Sequence, residues 1–175
     1  MIRTPLAWGL VLSLLAATVP AQEPTLEYRV KAAYILNFIR YVEWPPGTLG
    51  DGPITVCVAG RNPFGTALEE TVRGEAIEGR AIAVRVILEP EPGCHVLFVP
   101  TGANAGAYLR SARMTPVLTI GEAADFLPMG GIIGLRVDGG SVRFDIDQGA
   151  ADRAALRISS RLLRLARPGA GGGTQ

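Results

Sequence analysis

A single histidine, His95, in a chain of 175 residues leaves little room for acid–base or nucleophilic chemistry, which needs a nucleophile, a base and an orienting group. Cys94 precedes it, but neighbours on a strand point to opposite faces and cannot share a proton. The chain also lacks the His, Cys and carboxylate spacings of a closed metal site. No catalytic residue, metal ligand or cofactor is therefore expected. An excess of charge of one sign is missing too: the formal net charge is +1 and falls to about zero without Arg3, which excludes nucleic acid as the main partner. The apolar run near the start is too short for a comfortable membrane span. Gly130, Gly131 and Gly134 do not match the dinucleotide-binding spacing, and the residues after them read as a strand and not a helix.

What is present begins with an export signal over residues 1–21. Arg3 supplies the positive start, Leu6 to Ala17 the apolar stretch and Val19-Pro20-Ala21 the small-residue cleavage pattern. Cleavage is expected after Ala21, with an uncleaved anchor as the alternative; no Cys follows to take a lipid. Residues 22–168 suit one domain with a real core, and the Gly-rich residues 169–175 are expected to be disordered.

The segment Glu27 to Pro46, EYRVKAAYILNFIRYVEWPP, is the most informative. At 100° per residue Val30, Tyr34, Phe38, Tyr41 and Val42 crowd one side of a helix, while Ala32, Ile35, Leu36 and Ile39 occupy much of the other. Such a helix must be covered on more than one side, by its own domain or partly by a partner. Tyr34, Phe38, Tyr41 and Trp44 are the candidate partner-interface residues, with core packing as the competing role.

After Trp44-Pro45-Pro46-Gly47 ends that helix, strands and helices alternate. Strands are expected at Ile54–Ala59, Ala81–Leu88, Cys94–Val99 and Val117–Ile120. Helices are expected at Thr66–Arg73 and Ala103–Arg113, with one helical turn over Glu122–Phe126. Ile132–Val137 and Val142–Ile146 form a hairpin through Asp138-Gly139-Gly140. Ala150–Ala166 reads as a helix interrupted near Ile158-Ser159-Ser160, where a serine can cap a new start. The fold class is α/β: one layered domain, a mainly parallel sheet with an antiparallel hairpin at one edge and helices on both faces.

The loop Gly60 to Gly65 lies between a strand's carboxyl end and a helix start, the usual ligand mouth of such a sheet. Arg61, Asn62 and Phe64 are the ligand-pocket candidates there, against the alternative of an ordinary Asn-Pro turn. Asp145 and Asp147 alternate with Phe144 and Ile146 as on a solvated strand face. Arg157, Arg161 and Arg164 read as a solvated helix face that an acidic partner would also suit. Cys57 and Cys94 are two cysteines in an exported chain, so either a disulfide or two separate buried thiols are open readings.

Several segments in order, KAAYILNFIRYVEWP, ITVCVAGRNPFGTALEE, Gly79-Arg80, CHVLFV, VLTIGEAADF, GGIIG, VRFDID and ISSRLLRLA, together resemble the YfiR/HmsC-like family of small exported bacterial proteins. The resemblance implies a periplasmic, non-catalytic α/β protein, often a homodimer. It implies a repressor of a membrane-bound diguanylate cyclase that binds the cyclase's periplasmic portion and so restrains cyclic di-GMP signalling and biofilm formation. It also implies a disulfide between Cys57 and Cys94. A second cysteine pair found in some relatives near Met129 to Arg136 is absent from this chain. The alternatives are a periplasmic small-molecule sensor acting on another membrane receptor and, a distant third, a hydrolase using His95.

Overall fold

The computed structural model describes residues 25–166. The expected leader, its cleavage point and the Gly-rich tail lie outside the described residues. The first helix, α1 (Leu26–Tyr41), buries Lys31, Ala32, Ile35, Leu36, Phe38 and Ile39, and it packs on α2 (Ala67–Val72), on the hairpin strand β8 (Ser141–Ile146) and on α5 (Ser160–Leu165). Its wide apolar girth is thus covered largely within its own domain. Val30, at 37% relative exposure, and Leu26, at 77%, are left to solvent.

The chain leaves α1 extended at Val42, because Pro45 and Pro46 forbid further helix. The two-residue strand β1 (Val42–Glu43) pairs antiparallel with β9 (Arg157–Ile158). The main sheet has seven strands in the order β3-β4-β2-β5-β6-β7-β8. Its central strands β4 (Arg80–Ile87), β2 (Ile54–Ala59), β5 (Val96–Val99), β6 (Leu118–Gly121) and β7 (Ile133–Asp138) run parallel. Five of the six residues of β2 are buried, as a β-branched run covered on both faces should be.

Two apolar clusters flank the sheet. On one face α1 and α2 cover Ile54, Val56, Val58, Val96, Phe98, Leu118 and Ile120. On the other, Tyr108 and Leu109 of α3 (Ala105–Ala112) pack with Cys57, Ala59, Leu97, Val99 and Phe126. The expected α/β class, parallel sheet, edge hairpin and two-faced helix cover are all present. In the hairpin, Gly139 and Gly140 have φ of +55° and +77°, the left-handed pair that a two-residue turn with the strands' own twist demands.

Four local expectations are corrected. A second antiparallel edge, β3 (Ala76–Ile77), folds onto β4 through Glu78-Gly79; two residues are too short to carry a periodicity. Ala150–Ala166 is not one interrupted helix. Asp147 caps α4 (Gln148–Arg153), accepting from the Ala150 amide at 2.9 Å, and Ser159 caps α5, accepting from Leu162 at 3.3 Å. Between them β9 takes Arg157 out of the helical stripe. Glu122–Phe126 forms turns instead of a helical turn, because Phe126 is fixed by packing. Its ring lies between Gly121 and Gly131, where a Cβ on either glycine would come within 2.2 Å of a ring carbon.

Candidate functional site

In an open parallel sheet, ligands bind beyond the carboxyl ends of the strands, where the order of connection reverses. Here the reversal falls between β2 and β5, and the Arg61 to Phe64 loop leaves β2 at that point. The crevice is nevertheless filled by the chain itself. Asn62 is spent on its own turn, accepting from the Phe64 amide at 2.9 Å and donating to the Gly65 carbonyl at 3.0 Å. Phe64 is fully buried, edge-on to Tyr28 at 5.3 Å and to Phe98 at 4.8 Å. Of the three ligand-pocket candidates only Arg61 is exposed, while Asn62 is engaged in the turn and Phe64 in the core.

The plug is the first turns of α1. Lys31 forms ion pairs with Glu27 and with Glu122, and the Lys31 and Glu122 side chains are 4% and 5% exposed. Glu122 also accepts from the Tyr28 hydroxyl at 3.3 Å and the Thr101 amide at 2.9 Å. Burial alone would lower the Lys31 pKa, but the hydrogen bonds to Glu122 and Glu27 outweigh it and hold the ammonium above its usual value. Burial, then the Glu122 charge, raises the Tyr28 phenol, so it keeps the proton that it donates. A buried charge needs partners of this kind.

The four candidate interface aromatics divide. Phe38 is fully buried, stacked on Tyr34 at 5.8 Å and edge-on to Phe144 at 5.0 Å. It belongs to the core and offers nothing to a partner. Tyr34, Tyr41 and Trp44 are half-buried. Tyr34 donates to the Val142 carbonyl at 3.4 Å, Arg161 lies over the Tyr41 ring at 5.8 Å, and the buried indole N–H of Trp44 has no hydrogen-bond partner.

The end of α1 is tied to the β9–α5 segment, because the Ser159 amide donates to the Tyr41 carbonyl at 2.9 Å and the β1–β9 ribbon pairs Val42 and Glu43 with Ile158 and Arg157. Leu165, missed in the sequence because it reads as one leucine of an apolar stripe, is 67% exposed. With Tyr34, Asp138, Arg143 and Phe144 it lines a depression of about 310 Å³. Arg157, Arg161 and Arg164 are exposed on the same β9–α5 segment. The result is aromatic and apolar surface beside a rim of guanidinium groups, with Asp138 in the depression and Glu43 4.0 Å from Arg157, a composition suited to protein contact.

Cys57 and Cys94 are joined in a disulfide, with Cα atoms 5.7 Å apart. The His95 ring is tied to the neighbouring strand, its Nδ1 accepting from the Thr55 amide at 2.9 Å. Burial, with the charge of Arg80, lowers its pKa against the opposing influence of the Thr48 backbone. Asp145 pairs with Arg136, and Asp147 caps α4, so the two carboxylates do not form a joint site. Among the described residues no group of three or more His, Cys, Asp or Glu is placed to hold a metal ion, and no helix is long and apolar enough to cross a membrane.

A family model described as YfiR/HmsC-like matches residues 28–167. A solved structure of a conserved domain protein from Vibrio cholerae is similar at 12% identity and a TM-score of 0.47, over 77% of this chain. This chain spans 58% of that protein's length. No curated protein matches the chain.

Proposed function

Because the chain belongs to the YfiR/HmsC-like family, whose members are periplasmic regulators, we propose that it binds the periplasmic sensing portion of a membrane diguanylate cyclase and represses it. In this reading it works as a non-catalytic homodimer in the periplasm, and its release raises cyclic di-GMP and favours biofilm. A protein that binds one state of a receptor's outer domain more tightly than the other shifts the equilibrium by that difference, with no chemistry of its own.

The observation that carries the reading is the face built from Tyr34, Tyr41, Trp44 and Leu165 with its arginine rim. Among the described residues it joins exposed apolar surface to aromatic rings and positive charge, and an acidic, partly apolar surface on the sensor is its complement. The test is deletion of the gene with measurement of intracellular cyclic di-GMP, together with cross-linking of the restored protein to membrane proteins. A rise in the nucleotide and a cross-link to a cyclase's outer domain are expected. Unchanged nucleotide, or a cross-link only to other receptors, overturns the cyclase assignment.

A further inference from the structure

The seven-stranded sheet is finished differently at its two edges. At one, α1 packs on β8 and the Tyr34 hydroxyl reaches the Val142 carbonyl. At the other, β3 covers β4 only through Ile77 against Arg80 and Ala76 against Ala81. From Ile82 to Ile87, β4 therefore has β2 on one side and, among the described residues, no strand on the other.

Which backbone groups face outward follows from the ladder. Ile87 turns its carbonyl toward β2, where it accepts from the Gly60 amide at 2.7 Å, and along a strand the N–H and C=O of alternate residues point to the same side. Ile82, Val84, Val86 and Leu88 thus present amide and carbonyl to the open edge. Val86 is 45% exposed and Leu88, just past the strand, 78%. Sheet edges are ordinarily blunted by proline, lysine or a bulge. Residues 82–88 hold no proline or lysine, and their single charge, Arg85, is engaged within its own chain by Glu91 at 3.1 Å and the Pro92 carbonyl at 3.3 Å.

This edge complements itself in one register. In a two-fold antiparallel pairing the outward-facing residues must meet each other, so the axis has to pass through a residue. An axis at Arg85 sets two guanidinium groups opposite one another, which is unfavourable. An axis at Ile87 places Pro90, which has no N–H, opposite the outward-facing Val84. An axis at Val84 runs the copy into β3 at Arg80. An axis at Val86 avoids all three: Val86 meets Val86, Val84 meets Leu88, and Arg85 faces Ile87 with the copy's Glu89 on a diagonal.

We propose that the protein pairs with a second copy of itself through the 82–88 edge of β4, joining two sheets into one across a two-fold axis at Val86. The inference rests on the homodimer of the function proposed above and gives it a surface; it does not need the cyclase. The depression beside Tyr34 and Leu165 is lined by β8 residues, at the opposite end of the strand order, so both copies keep it open to a partner. The test is sedimentation velocity and amide hydrogen exchange on the purified protein, with oxidative cross-linking of Val86→Cys.

Expected are a dimer, slow exchange at the Val84, Val86 and Leu88 amides that becomes fast on dilution to monomer, a covalent dimer linked at position 86, and a dimer dissociation constant raised roughly 10- to 100-fold by Val86→Lys. If Val86→Lys fails to fold, Val86→Pro still discriminates, because it removes one outward-facing N–H and leaves the β2 ladder intact. A monomer at millimolar concentration overturns this inference and the homodimer alike. A dimer that both variants leave intact, or slow exchange at these amides only when another polypeptide is added, overturns the surface alone. Neither result bears on the cyclase, which is read from nucleotide levels.

Discussion

Lys31 and Glu122 are separated by 91 positions in sequence and form an ion pair nearly closed to solvent. Lys31 sits on the second turn of α1 and Glu122 just past the end of β6, so the pair fastens the first helix over the point where the sheet's order of connection reverses. The only lysine in the chain is thus spent on closing its most conventional ligand mouth. Tyr28, Glu27 and the Thr101 amide complete the network.

Removing one member should cost more than removing both. Lys31→Met is expected to destabilise the protein by about 3–5 kcal/mol, because Glu122 is left buried without its cation, and the double variant Lys31→Met/Glu122→Leu should recover much of the loss. Chemical denaturation of the two variants measures this. With its pKa raised above 10.5, Lys31 contributes fully below that value, and the contribution falls away only as the pH rises through the raised value.

The disulfide spans a sequence separation of 37 residues. In the chain-entropy model, replacing both Cys57 and Cys94 by alanine should cost about 4 kcal/mol. Thermal and denaturant unfolding under oxidising conditions would show the loss, and a reducing agent should reproduce it in the parent protein.

His95 makes stability depend on pH in a known direction. Its Nδ1 must stay unprotonated to accept from Thr55, and its folded pKa lies below 6.5. The unfolded chain therefore binds more protons, and stability rises with pH. The contribution is complete above 6.5 and is lost as the pH falls through the lowered value. His95→Asn, whose amide oxygen can receive the same hydrogen, should be less stable at pH 7 but show a flatter decline toward pH 5.

Interior and surface aromatics should respond differently. Phe38→Ala removes a fully buried ring and is expected to cost about 3–5 kcal/mol in stability, so any loss of function it causes is a folding defect. Leu165→Asp changes an exposed residue and should shift stability by less than about 0.5 kcal/mol while abolishing cross-linking to the sensor. Paired unfolding curves and cross-linking yields separate the two effects.

The architecture was legible because its signals are long. The girth of α1, the continuous run of β2 and the Asp138-Gly139-Gly140 turn each rest on several residues or on a turn type that few sequences satisfy. β1, β3 and β9 are two residues each, and nothing in two residues separates a strand from a loop. Phe38 and Tyr34 share a stripe, so sequence could not say which meets solvent; depth is set by Phe144, far along the chain. Phe64 and Asn62 stand at the right place for a ligand mouth, but what occupies the mouth is α1, a fact of tertiary packing.

The Phe126 ring between Gly121 and Gly131 turns two separate glycine positions into a single heritable unit. A methyl group gained at either glycine has no space unless the aromatic side chain shrinks in the same lineage, so these three sites should drift together or stay still. Statistics that score each column alone would see two unexplained glycines and one unremarkable phenylalanine, and would overlook the joint constraint on how this fold can diversify.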